Sequence, residues 1–178
     1  MISLYSKRAT PGSDEKDGWI RKPALIVLIY EGIIAGVLDF DYAPASVCIE
    51  HRRIWMNVSQ EGKSDVELLR EEELVNGLQV SSRSFQPITC YQVSEKGANL
   101  IKRISRKEKE AVHEFVYAQG TRELLNVSWD GSNYYLNSAT GYKRISTITE
   151  TEDVSYVSSA YIPQCLRYGG RPTLSNAH

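Results

Sequence analysis

The side chains best suited to chemistry are few and lie far apart. Cys48 and His51 are three residues apart, a spacing at which a nucleophile and a general base could meet. On a strand followed by a turn, Cys48 is instead expected to be a small buried apolar residue. Asp39 and Asp41 flank Phe40 on one face of a predicted strand, where paired carboxylates could do acid–base work or hold a cation. Because no third ligand lies nearby in sequence, a solvent-facing strand end is the preferred interpretation.

Metal, phosphate and dinucleotide sites have recognisable spacings, and these spacings are absent from the sequence. No two of the three histidines have the separation of metal ligands on a helix: His51, His113 and His178. There is no phosphate-binding glycine loop and no dinucleotide fingerprint. The tryptophans are expected to be core or interface anchors: Trp19, Trp55 and Trp129. The sequence therefore predicts a protein that is not an enzyme, with no cofactor and no metal.

Composition sets the broad class. A chain of 178 residues fits one domain with a real core, or two small domains that share an interface. The net charge of -1 lacks the basic excess of a dedicated nucleic-acid binder. Eleven tyrosines against three phenylalanines favour half-buried surfaces and interfaces, because tyrosine joins an apolar ring to a hydroxyl.

Cysteine use and the termini indicate the compartment. Cys48, Cys90 and Cys165 are widely spaced, which is typical neither of a disulfide framework nor of a zinc site. A reducing, intracellular environment is the simplest inference. Residues 1–22 have the composition of a flexible leader without an export signal. The most apolar stretch, residues 24–38, is broken by one glutamate and two glycines, so no membrane insertion is expected.

The first half of the chain leaves two ambiguities. β-branched runs around a Glu-Gly break favour a hairpin with strands near 24–30 and 33–40, and a buried helix stays open as the alternative. Two further strands are predicted near 46–50 and 54–58. A helix that begins at Pro44 is the alternative there, since proline suits the first helical turn.

The middle of the chain predicts helices around a hairpin. Residues 64–76 form the clearest helix, with Ser64 as N-cap and Glu67 completing a capping box. Its inward stripe is expected to contain Val66, Leu68, Leu69, Leu74 and Val75. Strands at 78–82 and 88–93 follow, and Ser94 caps the next helix. That helix turns four apolar residues inward, Ala98, Leu100, Ile101 and Ile104, and residues 106–119 continue or restart it.

The last third is predicted to be rich in β structure. Aromatic and apolar residues surround Asp130-Gly131, a strong hairpin signal. "GYKRISTIT" and "VSYVSSAYI" are further candidate strands. The expected fold class is α+β, built from β-hairpins, a C-terminal β-rich part and an extended tail. Its predicted divisions are a leader at 1–22, an α+β domain at 23–119, a β-hairpin region packed on it at 120–160 and the tail at 161–178.

One stretch resembles a known family. "LLREEELV" lies on the first helix of a helix–strand–loop–strand–helix run over residues 64–104, and "YQVSEKGANLI" joins the second strand to the second helix. This resembles winged-helix proteins of the bacterial regulator type, where a recognition helix ends in a similar acidic phrase and the wing closes in a Ser/Thr-Glu-Lys-Gly turn. The resemblance implies a winged-helix element. The family also has two helices just before the wing, where this sequence favours strands.

The resemblance implies a DNA-binding role that the charges oppose. It would place the DNA-reading side chains on helix 64–76, with Arg83 in the wing and Lys96 in the closing turn. That helix carries five acids against one base, a net charge of -4, which works against binding to phosphates. Residues 95–110 carry a net charge of +3, but on a helix that the family uses for packing. A DNA-binding transcriptional regulator is therefore the alternative hypothesis.

The preferred hypothesis is a non-enzymatic protein-interaction or structural subunit of a larger intracellular assembly. Its partners would be other proteins, and nucleic acid is the less favoured partner. The tail would run along a partner's surface, because it has no periodicity of its own. Its partner-binding side chains are expected to be Tyr161, Ile162, Leu166 and Tyr168.

Overall fold

Helices and strands alternate along the chain in a mixed α+β fold. The computed structural model describes residues 1–9, 12, 14, 17–49, 52–81, 87–117, 123–130, 134–138 and 141–145. The helices in this part of the chain are α1 (Ile2–Tyr5), α2 (Lys22–Ile34), α3 (Gln60–Glu71), α4 (Glu95–Ile101) and α5 (Arg106–Val116). The strands are β1 (Ile20–Arg21), β2 (Ala43–Ile49), β3 (Arg52–Val58), β4 (Val75–Ser81), β5 (Pro87–Val93), β6 (Asn126–Trp129), β7 (Tyr134–Ser138) and β8 (Gly141–Ile145).

The strands form three antiparallel sheets. The first has the order β1-β5-β4, so the short strand before α2 pairs with the second strand of the central hairpin. The second is the hairpin β2-β3, and the third is the meander β6-β7-β8. Helix α2 contacts β1, β3, β5 and β6, which belong to all three sheets. The α+β fold class expected from sequence is therefore confirmed.

Helix α2 is the main correction to the predicted elements. The predicted strands near 24–30 and 33–40 are wrong, and the helical alternative is what the structure contains. Five consecutive side chains from Leu25 to Ile29 are buried, so the helix is apolar on nearly all sides and has no amphipathic period to reveal it. Pro23 lies in the first turn, where its missing N–H leaves no hydrogen bond unmade. None of the described helices is both long enough and apolar enough to span a bilayer.

Helix α3 begins and ends earlier than predicted. Its N-cap is Ser59, whose hydroxyl oxygen accepts a hydrogen bond from the Gly62 amide at 3.0 Å. The predicted cap, Ser64, lies inside the helix and donates to the carbonyl of Gln60. Leu68, predicted to face inward, is 54% exposed.

The C-terminal end of α3 is closed by a left-handed residue that is not glycine. Glu73 has a φ of 57°, and its amide donates to the carbonyl of Arg70 at 3.0 Å. The Leu74 amide donates to the carbonyl of Leu69 at 2.8 Å, which completes a Schellman motif. Asn76 and Gly77, the predicted end of the helix, already belong to β4.

Most other predicted elements are confirmed. Hairpin β2-β3 corresponds to the strands predicted near 46–50 and 54–58, and β4 and β5 to those at 78–82 and 88–93. Ser94 caps α4 as expected, and its hydroxyl oxygen accepts from the Gly97 amide at 2.9 Å. Helix α5 restarts at a capping box between Ser105 and Glu108. The predicted hairpin around Asp130-Gly131 and the strand after it are the meander β6-β7-β8.

Residues 1–9 do not behave as the flexible leader expected for residues 1–22. They run beside β5, and Ser6 is only 1% exposed. The Ser6 hydroxyl oxygen accepts from the Val93 amide at 3.1 Å, and the Gln92 side chain donates to the carbonyl of Lys7 at 3.0 Å. The Tyr5 hydroxyl donates to the carbonyl of Leu125 at 2.7 Å, across 120 positions of sequence. This segment is therefore a packed part of the fold.

The order of elements over residues 60–101 is helix, strand, strand, helix, as the sequence predicts. Hairpin β2-β3 directly precedes α3, at the place where winged-helix proteins have a helix. The winged-helix element stays a prediction. The predicted strand in "VSYVSSAYI" and the tail at 161–178 lie outside the described residues, and the division of the chain into domains also stays a prediction.

Candidate binding groove

An apolar groove with a volume of about 710 Å³ lies between the helices. We call it the groove. One wall is helix α3 and the other is formed by α4 and α5, while α1, α2 and the segment after α2 close the remaining sides. Its apolar lining includes Leu4, Leu25, Phe40, Leu69, Leu100 and Val112. A volume of this size and an apolar lining are typical of sites that bind a ligand or a peptide side-chain cluster.

Two apolar side chains of the α4–α5 wall are only half covered. Leu100 is 44% exposed and Ile104 is 42% exposed, and both line the groove. The sequence predicted that these residues point inward. They do face the groove, but no described residue fills the space in front of them. A bound partner that covered them would gain roughly 1 kcal/mol from each side chain.

The two walls are joined at one end by hydrogen bonds between α3 and α4. The Ser94 hydroxyl donates to the carbonyl of Glu73 at 2.7 Å, and the Lys96 ammonium donates to the carbonyl of Glu72 at 2.6 Å. Both carbonyls lie just beyond the end of α3, where backbone acceptors have no helical partner. These bonds fix the start of the α4 wall against the end of the α3 wall.

A glycine permits the close approach of these walls. A Cβ atom at Gly97 would lie 2.1 Å from the carbonyl oxygen of Leu74, a distance that no side chain tolerates. Gly97 and Leu74 both line the groove. The width of the groove at this end therefore depends on a residue without a side chain.

The walls carry opposite charge. Residues 60–73, which include α3, hold six acids and two bases, a net charge of -4. Residues 95–110, which include α4 and the start of α5, hold six bases and three acids, a net charge of +3. Within this basic stretch Arg103 and Lys107 are exposed. We call stretch 60–73 the acidic edge of the groove and stretch 95–110 its basic edge. A complementary ligand would place its basic groups at the first and its acidic groups at the second.

Two titratable side chains in the core, Tyr91 and Cys90, are held in their protonated forms by burial. Burial, and then the charge of Glu67, raises the pKa of Tyr91 to about 12, and the phenol hydroxyl donates to a Glu67 carboxylate oxygen at 3.4 Å. Burial also raises the pKa of the Cys90 thiol, which keeps it protonated and weakly nucleophilic. Neither side chain lines the groove. The titratable side chains that do line the groove are Asp65, Glu108, Lys109 and His113.

The residues first considered for chemistry are only partly described by the structure. Cys48 is exposed on β2, and His51 lies outside the described residues. Asp39 and Asp41 are exposed in the segment after α2, and the Asp41 amide donates to a Glu61 carboxylate oxygen at 2.9 Å. Because this segment is not a strand, the expectation of a strand end is corrected there. The described residues contain no group of three metal-ligating side chains.

The predicted partner-binding residues are not part of the described groove. Tyr161, Ile162, Leu166 and Tyr168 lie outside the described residues, as does Arg83. Lys96 is exposed, and its ammonium is held by the carbonyl of Glu72. His113 lines the groove and stacks on Tyr117, with ring centroids 5.4 Å apart.

The groove itself was not predicted from sequence. Its walls come from segments that are more than 90 residues apart, from Leu4 to Val112. One local signal existed in the short apolar run of α4, which is followed directly by four basic residues within 102–107. A helix of seven residues that ends in such a basic stretch cannot bury all its apolar side chains by itself.

Comparisons with known proteins give a family for the chain. Searches among curated proteins and among solved structures found no match. Residues 1–147, which include every described element from α1 to β8, match the family described as "Uncharacterized protein MJ1567 family". Because this match covers most of the chain, the protein belongs to the MJ1567 family.

Proposed function

We propose that the protein is a non-enzymatic interaction subunit of a larger intracellular assembly, and that it binds an apolar segment of a partner protein in the groove. The observation that carries this proposal is the groove of about 710 Å³, with Leu100 and Ile104 half exposed on one wall. Protein interfaces are built around apolar anchors of this kind, surrounded by a charged rim.

The charges of the walls define the partner segment. Its apolar side chains would cover Leu100 and Ile104. Acidic residues at one end would face the basic stretch 95–110, and basic residues at the other end would face the acidic stretch 60–73. Complementary charges of this kind determine the direction in which the segment binds. They contribute less to its affinity.

The test compares two leucines of nearly equal exposure. Leu100 is 44% exposed in the groove, and Leu78 is 43% exposed on β4, outside the groove lining. The native size of the protein is measured by gentle fractionation of lysate from its source cells. Leu100→Asp is expected to shift the protein from a large complex to its free size, while Leu78→Asp leaves the complex in place. If both variants stay in the complex, or if the wild-type chain itself elutes at its free size, the proposal is wrong.

A DNA-binding regulator is the second candidate, favoured by the helix–strand–strand–helix order over residues 60–101. The helical conformation of α2 also supports this candidate, because the winged-helix resemblance calls for helices before the wing. Duplex binding that weakens steeply with salt, and that is lost on Arg83→Ala or Lys96→Ala, would support this candidate. Absence of duplex binding at low salt would remove it.

A further inference from the structure

One segment of the chain that lies outside the described residues is apolar in sequence, like the lining of the groove. This segment, "VSYVSSAYIPQCL", covers residues 154–166, and we call it the apolar segment. It contains two tyrosines, two aliphatic residues besides valine, and no charge. Such a run would expose a large apolar surface unless another surface covers it.

The charges that flank the apolar segment match the two edges of the groove. Three acids precede it, at Glu150, Glu152 and Asp153, and two bases follow it, at Arg167 and Arg171. An acid–apolar–base order is the complement of a groove with a basic edge of net charge +3 and an acidic edge of net charge -4. Binding in the reverse direction would bring like charges together at both ends.

The connection between β8 and the apolar segment is comparable in length to the size of the domain. Strand β8 ends at Ile145, and the apolar segment begins nine residues later. Nine extended residues span about 30 Å, at about 3.3 Å per residue. A domain of this size has a radius of gyration of about 15 Å, so such a connection is about twice that radius in length.

We propose that residues 154–166 occupy the groove of their own chain when no partner is bound. A tethered segment has an effective concentration of roughly 1 mM, so even weak intrinsic affinity keeps the groove filled. A partner segment must then displace it, which lowers the partner's apparent affinity. This inference rests on the proposed function, since it assigns regulation to the same binding site.

The test places a nitroxide spin label on Cys165 in the full-length chain, after Cys48→Ser has removed the exposed thiol; Cys90 is buried. Broadening of amide resonances is then measured by NMR. We expect strong broadening at groove residues such as Leu69 and Leu100 and none at Met56, in β3 outside the groove lining. Uniform broadening, or none in the groove, would overturn the inference.

Two matched pairs of variants make the result specific. Ile162→Asp, within the apolar segment, should abolish the broadening in the groove, whereas Leu174→Asp, later in the tail, should leave it. Leu100→Asp should abolish it, whereas Leu78→Asp should not. A mixture of isotope-labelled chains and separate spin-labelled chains shows whether the broadening comes from the same chain or from another copy. Broadening of the groove residues in that mixture as strong as in the doubly labelled sample would mean that the segment belongs to a second copy, which contradicts the proposal.

A synthetic peptide of residues 150–168 gives an independent measurement. The Ile162→Asp chain should bind this peptide about tenfold more tightly than the wild-type chain, because its groove is no longer filled by its own segment. Equal affinity for both chains would contradict occupation by the chain's own segment. If the groove is not broadened but Leu100→Asp still releases the native complex, the inference fails and the proposed function stands. If the groove is broadened but Leu100→Asp keeps the complex, the proposed function fails alone.

Discussion

The hydroxyl of Ser94 donates a 2.7 Å hydrogen bond to the carbonyl oxygen of Glu73, and so joins the start of α4 to the end of α3. The same hydroxyl oxygen accepts from the Gly97 amide at 2.9 Å, which makes Ser94 both an N-cap and a bridge between helices. Only 8% of Ser94 is exposed, so water cannot replace these bonds easily. Together with the Lys96 ammonium, this side chain links the two walls of the groove.

Replacement of Ser94 by alanine is therefore expected to destabilise the protein by about 2 kcal/mol. The hydroxyl that caps α4 and its hydrogen bond to the Glu73 carbonyl are both lost. The free energy of unfolding is measured by urea denaturation. Ser64→Ala is the control, since its exposed hydroxyl bonds only within α3. A loss at Ser94 no larger than that at Ser64 would show that the bridge between α3 and α4 does not contribute.

A substitution at Glu73 is expected to stabilise the protein. Its φ of 57° lies in the left-handed region, where glycine has no Cβ to strain. Glu73→Gly is expected to raise the free energy of unfolding by up to about 1 kcal/mol. The neighbouring residue Glu72 has a φ of -76°, so Glu72→Gly should bring no gain. If the two variants shift the urea midpoint equally, the left-handed strain is not the cause.

Gly97 is expected to tolerate no side chain. Gly97→Ala would place a Cβ atom 2.1 Å from the carbonyl oxygen of Leu74, so the backbone of α4 or β4 must shift. The expected loss is roughly 3 kcal/mol, at the upper end for an overpacked site. Gly32→Ala is the comparison, because its nearest contact is a flexible Leu38 side-chain atom at 3.2 Å. Thermal unfolding of the two variants should separate them clearly, and similar melting temperatures would contradict the geometry.

Tyrosine ionisation should make the fold sensitive to high pH. Burial raises the pKa of Tyr91 to about 12 and raises that of Tyr5 further, against an ordinary value of 10.0. Because the folded state holds these protons more tightly, their contribution to stability is complete below pH 10.0 and is lost as the pH rises through about 12. The free energy of unfolding should therefore fall over this interval.

Tyr91→Phe tests the source of that loss. The free energy of unfolding of the variant should fall less across the same pH interval. Urea denaturation at stepped pH values measures this fall. Tyr42→Phe is the control, since Tyr42 is 45% exposed and should leave the fall unchanged. An identical pH profile for Tyr91→Phe and the wild type would assign the loss to other groups.

The comparison of sequence with structure shows which signals are local. Ser94 and the hairpin at Asp130 depend on signals within a few residues, and the sequence located both. Helix α2 was predicted only as the alternative to a hairpin, because it is surrounded by other elements and has no polar face to reveal its period. The choice between Ser59 and Ser64 as N-cap also could not be made locally, because both have cap chemistry and only packing decides between them.

The groove could not be predicted for a different reason. An apolar residue on a helix has the same pattern whether its neighbour is the core or an open space. Leu69 and Leu100 both fit the inward stripe, but they lie on opposite walls of the groove. The left-handed conformation of Glu73 was equally hidden, because a glutamate carries no signal for positive φ.

The hydrogen bond from Tyr5 to Leu125 has a consequence for how the protein is made. The bond joins residues that are 120 positions apart, and β1 likewise pairs with β5 through Ile20 and Tyr91. During translation, at about 5–20 residues per second, the first residues wait for roughly ten seconds before their partner is synthesised. Until Leu125 leaves the ribosome, α1 lacks this hydrogen-bond partner. Tyr5 is thus synthesised 120 residues before the partner that accepts its hydrogen bond.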